Sequence, residues 1–401
     1  MKKTLTRILS FVLAFAMMIP VLASCNNNKL EAPKFSDDTI KIGISGPLTG
    51  PAAVYGIAVY NSATLAITEI NEKGGLDGTL FSLEMYDDQH KPELVSNGYA
   101  NLLERGMQLS LGTVTTAPGL EFKELAHEDN LFVLTPSATG DAIPEYDNAF
   151  QMCFSDFNQG AASAEYFNTT ESYKGKKIGV FYKSDDEYST GILAKFEETL
   201  DQSFCEITKA SFKGDESDFN QQVQELKDCD VIFMPIYYTP ASQFMTAGKS
   251  VIKSDAVYFG CDGLDGIDSI DGFDISSVPQ EVSYLSHFNS NATDGAAAEY
   301  IASYKENFDA ETLNQFGAAA YDCIYAIYEA LKLAKEQGKQ IDGSTTASDM
   351  CDILTEIFTG DFVFHGITGK PEADGKSSVS WTDNGFVNKE AVKYIVKEAN
   401  K

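Results

Sequence analysis

This 401-residue chain lacks the signatures of the common catalytic and nucleotide-binding sites. It has no G-x-S-x-G nucleophile elbow, no H-E-x-x-H zinc-binding helix and no Walker A phosphate loop. A G-x-G-x-x-G turn is also missing after residues 40–44, where a dinucleotide site would require it. Histidine is scarce: His90, His127, His287 and His365 are the full set, and their four different contexts leave no candidate for a histidine general base. There is no C-x-x-C pair and no His/Cys spacing of a zinc site. These absences argue against an enzyme and give no motif for a metal or a cofactor. Basic residues are outnumbered, 30 Lys and Arg against 59 Asp and Glu, and a formal net charge of −29 argues against nucleic acid or any other polyanion as a partner. Beyond residue 20 no apolar run is long enough to span a bilayer.

What is present begins with an export leader. Lys2, Lys3 and Arg7 form a positive start, residues 8–20 an apolar core too short to cross a membrane, and Leu22-Ala23-Ser24-Cys25 follows at once. That last motif resembles the lipobox of bacterial lipoproteins, which implies cleavage after residue 24 and lipidation of Cys25. Residues 1–24 are then a signal peptide and 25–37 a polar tether. The mature chain, with a net charge near −32 once three cations leave with the leader, is expected outside the cytoplasm, held to the membrane by lipid alone. Cys153, Cys205, Cys229, Cys261, Cys323 and Cys351 remain, an even number that permits disulfides and equally permits buried thiols that fill space.

The mature length exceeds what one hydrophobic core usually holds, and 43% apolar residues suffice for two. Residues 40–44 alternate apolar and small or polar as a strand, run into the Gly46-Pro47 and Gly50-Pro51 loop, and give way to a helical pattern from Ala52. Strand patterns at 81–86, 107–111, 131–135 and 149–154 alternate with helical ones at 94–104, 120–127 and 161–167. A second series follows, with strands at 177–182, 207–212, 231–236 and 257–260 and helices at 191–200, 219–226 and 241–249. Two such series in tandem predict an α/β protein of two doubly wound lobes facing across a cleft, with ligands bound beyond the carboxyl ends of the strands. After a strand at 282–288 come helical patterns at 295–308, 317–337 and 347–358 without strands between them. These are expected to pack on an existing lobe, with 386–396 supplying a last strand.

Five fragments in order, IKIGISGPLTGPAAVYG (40–56), INEKGGLDG (70–78), MYDDQHKP (85–92), LTPSATG (134–140) and YFGCDG (258–263), resemble the substrate-binding proteins of branched-chain amino acid (Leu/Ile/Val-type) ABC transporters. The resemblance implies a type I periplasmic binding protein fold, with two Rossmann-like lobes joined by a three-crossover hinge. Lobe 1 is then 38–156 with 286–372, and lobe 2 is 157–285 with 373–401. Function by resemblance is capture of an amino acid, branched-chain or otherwise apolar, by a monomer that delivers it to the permease subunits of the transporter.

A zwitterion needs donors for its carboxylate and an acceptor for its ammonium. The Thr115-Thr116 pair lies where a strand meets a helix, and helix amino termini favour anions, although either hydroxyl could simply cap the helix. The resemblance gives Thr116 the carboxylate, gives Ser137, Ala138 and Thr139 contacts to both ends of the amino acid, and gives Asp262 the ammonium, where relatives more often carry glutamate. It also places Tyr55 and Phe316 on the first lobe and Tyr188 and Tyr238 on the second as pocket walls. Asp265 and Asp268 read as a surface turn. Two departures stand out: Gln151 replaces an arginine often found at the first crossover, and His90 and Thr115 occupy positions where some relatives have disulfide cysteines. A surface sensor of the same fold, binding an amide, a small peptide or another small molecule, is the alternative function.

Overall fold

The computed structural model describes residues 30–203, 205–371 and 375–399, so the leader and Cys25 lie outside the described residues. The first half opens with β1 (Thr39–Gly46), α1 (Ala53–Glu72), β2 (Leu80–Asp87), α2 (Pro92–Glu104), β3 (Leu109–Ser110), α3 (Thr116–Glu128), β4 (Val133–Thr135) and β5 (Ala149–Gln151). These strands form a parallel sheet of order β2-β1-β3-β4-β5. Ile40, Ile42 and Ile44 are fully buried, as expected for a strand covered by helices on both faces. The strands expected at 107–111 and 149–154 are shorter than their apolar runs, the second because the chain leaves the sheet after Met152 to cross to the other half. The segment expected to be tether docks before it ends: Pro33 accepts a hydrogen bond from the Leu83 N–H at 2.8 Å, and the Phe35 N–H donates to Glu84 Oε1 at 3.1 Å.

The second half contains α4 (Asp156–Thr169), β6 (Lys177–Lys183), α5 (Glu187–Thr199), β7 (Glu206–Phe212), α6 (Asn220–Leu226), β8 (Val231–Met234), α7 (Tyr238–Gly248), β9 (Val257–Gly260) and β10 (Glu281–Ser286). All four residues of β8 are buried, and its Phe233 stacks on Phe196 of α5 at 4.2 Å. Each such side chain contributes about 1.5–3 kcal/mol by leaving water. The chain then returns to the first half as α8 (Gly295–Asn307), α9 (Gln315–Glu336) and α10 (Ala347–Phe358), with α9 lying along α1.

A three-stranded sheet follows that the sequence pattern did not suggest: β11 (Val363–Gly366), β12 (Lys370–Pro371) and β13 (Ser377–Ser380), in the order β11-β13-β12. Trp381, just after it, packs on Phe358 at 4.6 Å and donates its indole N–H to Gln151 O at 2.7 Å. Residues 377–381 therefore belong with the first half, although the sequence reading placed everything from 373 with the second. Only β14 (Val392–Lys397), shorter than the strand expected over 386–396, joins the second sheet, pairing antiparallel with β10 in the order β14-β10-β9-β8-β6-β7.

Among the described residues the chain crosses between the halves three times, after β5, after β10 and after β13. Lys389, on the third crossing, is buried and donates its ammonium protons to Met152 O of the first crossing and to Thr368 Oγ1, both at 2.6 Å. Thr368 in turn bonds the buried Asp322 carboxylate. Burial lowers the Lys389 ammonium to about 8, against the opposing pull of Asp322. His287, on the second crossing, meets Phe154 edge-on at 5.2 Å, and neither of its ring nitrogens has a protein partner. Its burial holds the imidazole neutral, well below its usual basicity. All six described cysteines are buried free thiols.

Candidate functional site

The carboxyl ends of the two sheets face one another, and side chains from both halves close over a cavity of about 10 Å³, the space of a single water-sized sphere. From the first half, Tyr55 projects from the first turn of α1. Its ring lies edge-on to Phe316 at 5.0 Å and to Tyr238 at 4.8 Å. Its hydroxyl reaches across the cleft, donating to Gly263 O at 2.5 Å and accepting from the Tyr238 N–H at 3.3 Å. Beside it the Thr239 hydroxyl donates to Pro51 O at 3.0 Å. The structure is thus the closed arrangement of the two halves.

Thr115 occupies the cap position of α3, yet its side chain does not cap. It bonds His90 Nδ1 at 2.8 Å instead, so no side chain covers the first amides of α3, and Thr116 begins the helix on the cavity wall. Burial, with Lys183 adding to it, lowers the His90 imidazole to about 4.

Ser137 and Thr139 also line the cavity, although the Ser137 hydroxyl is committed to Val114 O at 2.6 Å. Ala138 does not reach it. Its N–H donates to Thr135 Oγ1, and its carbonyl accepts from Gln151 Nε2 at 2.9 Å. Gln151 bonds Gly140 O as well, so the residue in place of the familiar arginine holds the 137–140 loop.

Asp262 starts a short 3-10 turn after β9 and is buried. Its Oδ1 accepts from the Tyr188 hydroxyl at 2.8 Å, and its N–H donates to Gln159 Oε1 at 3.0 Å, while Oδ2 has no protein partner. Desolvation raises its carboxyl to about 7, although the bond from the Tyr188 hydroxyl pulls the other way. Glycine is needed next, since a Cβ at 263 would meet the Tyr188 hydroxyl at 2.6 Å and Ile236 O at 2.7 Å.

Of the nine residues named from the sequence, Tyr55, Thr116, Ser137, Thr139, Tyr188, Asp262 and Phe316 meet on this wall. Tyr238 approaches only through Tyr55, and the wall position is taken by Tyr237, stacked on Tyr188 at 4.6 Å. Tyr237 holds the cap position of α7, as Thr115 does for α3, and that shared position at a strand-to-helix corner is the signal that could have found it.

Asp265 corrects the sequence reading. It is not on a surface turn but buried, accepting from the Tyr284 hydroxyl of β10 at 2.7 Å and from the Gln315 N–H at the start of α9 at 2.8 Å. Asp268 is exposed. Among the described residues, no group of three or more His, Cys, Asp or Glu side chains could hold a metal ion.

Comparison with known proteins bears on the fold and the family. A family model described as "Periplasmic binding protein" matches residues 39–376. The Leu/Ile/Val-binding protein BraC3 of Rhizobium johnstonii is 25% identical over 337 residues, covering 80% of this chain and 90% of its own. The substrate-binding protein LivJ of Streptococcus pneumoniae, solved with isoleucine, superposes with a TM-score of 0.70 at 24% identity over 89% of this chain and all of its own. A solute-binding protein from Rhodopseudomonas palustris, solved with 3,4-dihydroxybenzoic acid, does so at 0.72 and 19%, over 90% of this chain and 94% of its own. These relatives are solute-binding proteins, not enzymes, and their shared architecture is the type I fold. The chain belongs to the periplasmic binding protein family, whose members work outside the cytoplasm.

Proposed function

We propose that this protein captures an α-amino acid between its two halves and delivers it to the permease of an ABC transporter. The observation that carries the reading is Asp262 Oδ2, a buried carboxylate oxygen on the cavity wall with no protein partner, supplied by the half opposite the uncapped start of α3. A buried anion is costly unless paired, and a ligand ammonium supplies the missing partner, while the α3 amides, Thr116 and Thr139 are the groups suited to a carboxylate. The name of BraC3 and the isoleucine bound by LivJ support the branched-chain size class.

Thermal melting against a panel of amino acids, small peptides, amides and benzoates tests this. A ligand at a hundred times its dissociation constant stabilises the native state by about 2.7 kcal/mol, a clear shift. Hits confined to compounds without an amino group would refute the amino acid reading and favour the aromatic-acid class bound by the Rhodopseudomonas protein.

Anchoring belongs to the same proposal: a monomer tethered to the membrane by lipid on Cys25, supported by the Leu22-Ala23-Ser24-Cys25 motif. Among the described residues no helix is long and apolar enough to cross a membrane. The Cys25→Ala protein should leave the detergent phase on phase separation. Its retention there would exclude the lipid anchor.

A further inference from the structure

Asp262 Oδ2 is not alone on the cavity wall: the Tyr237 hydroxyl is also buried and has no protein partner. The ring that carries it is fixed on three sides, by Tyr188 stacked at 4.6 Å, by the edge of His90 at 5.1 Å and by Tyr55 at 6.0 Å. It cannot turn its hydroxyl out to water without breaking that packing.

The rest of the wall sets the rings of Tyr55, Tyr188 and Phe316 and the Val114 side chain beside the hydroxyl-bearing Thr115, Thr116, Ser137 and Thr139. A leucine-like ligand would seal Tyr237 in while offering it nothing, and a buried hydroxyl left unpaired weakens binding.

We infer that Tyr237 reads a hydroxyl on the ligand side chain, so that the protein prefers small hydroxylated amino acids of the serine and threonine class to their hydrocarbon counterparts. This rests on the amino acid reading above and narrows it. Shape alone separates near-isosteres weakly, whereas a site that must bond a hydroxyl rejects the ligand lacking one by far more.

L-Threonine and L-valine have nearly the same shape, which makes them the decisive pair, with L-serine and L-alanine as the second. Calorimetric titration of the mature chain should show threonine binding at least about tenfold tighter than valine, and Tyr237→Phe should remove most of that preference by weakening threonine alone. Equal affinities in the parent overturn the assignment. So does a Tyr237→Phe protein that binds both ligands equally less well, since that result places the hydroxyl on the ammonium. In either case the amino acid reading survives. Binding only of carboxylic acids that lack an amino group would instead remove that reading, and this inference with it.

Discussion

His90 and Thr115 face each other across the start of α3, with Nδ1 and Oγ1 2.8 Å apart although the residues lie 25 positions apart in the chain. These are the positions at which some relatives are expected to carry a disulfide. Here a hydrogen bond ties the same two loops and draws Thr115 away from capping the helix, which leaves the α3 amides free for an anion.

Restoring the covalent link should stabilise the protein. The double variant His90→Cys with Thr115→Cys, once oxidised, should gain about 3 kcal/mol from the constraint on its unfolded chain. Denaturant melts with and without reductant measure it, and equal midpoints would mean that the two side chains do not approach as described.

Tyr55 is the main polar bridge over the cleft, serving Gly263 O and the Tyr238 N–H at once. Tyr55→Phe leaves both groups short of a partner in the closed form but not in an open one, where water reaches them. The closed state should lose about 1–3 kcal/mol and ligand affinity should fall correspondingly. Small-angle scattering of the ligand-free variant should show a larger radius of gyration than the parent. An unchanged radius together with unchanged affinity would rule out this role.

The two neighbouring aspartates should separate binding from stability. Asp262→Ala is expected to weaken amino acid binding by about 2–5 kcal/mol, because a desolvated ammonium loses its counter-charge, while the melting temperature of the free protein holds or rises. Asp265→Ala should do the reverse. It strands the Tyr284 hydroxyl and the Gln315 N–H, at a cost of about 2–4 kcal/mol in stability. Should Asp265→Ala melt like the parent, the bridge between β10 and α9 has been misjudged.

Acid should act on binding and stability with opposite signs. Burial raises Asp262 to about 7, and Asp88, Asp186 and Asp265 to about 6. A carboxyl whose folded pKa is raised adds stability that is full below its unfolded value and lost as pH climbs through the folded one. The free protein should therefore melt higher at pH 5 than at pH 8. His90, lowered to about 4, and His287, lowered well below its usual value by burial, work against this below about 6.5 but are outweighed by the four carboxyls. Ligand binding needs the ionised Asp262, so affinity should fall roughly tenfold per unit below pH 7, with a proton released on binding. Titrations in buffers of different ionisation enthalpy detect that proton, and pH-independent affinity from 8 to 5 would exclude Asp262 as the ammonium partner.

Much of the fold was legible because parallel strands buried on both faces spell themselves out: the Val231–Met234 run and the Ile40, Ile42, Ile44 alternation need no tertiary context. The small β11–β13 sheet escaped because Val363 and His365 alternate with buried residues over only four positions between turn formers, too short for a period to register. Asp265 was misread for a different reason. Its neighbours Gly263, Gly266 and Asp268 look like a surface turn, and only Tyr284 and Gln315, 19 and 50 residues away, make it interior. In the candidate site, residue types were readable and their aim was not. Adjacent Tyr237 and Tyr238 differ on paper only in which one holds the cap position of α7, and the corner between β8 and α7 sends the first to the cavity wall and the second against Tyr55.

Because the chain crosses three times, the two halves cannot mature one after the other like beads on a string. The second sheet waits for β14, near the end of the described chain, and the first crossing is locked only when Lys389 arrives at Met152, 237 residues away. Such distant closures make refolding slow and tie both halves to one event. Heating should accordingly give a single calorimetric peak for the pair, and a chain cut before residue 389 should lose both halves together instead of leaving an intact first one.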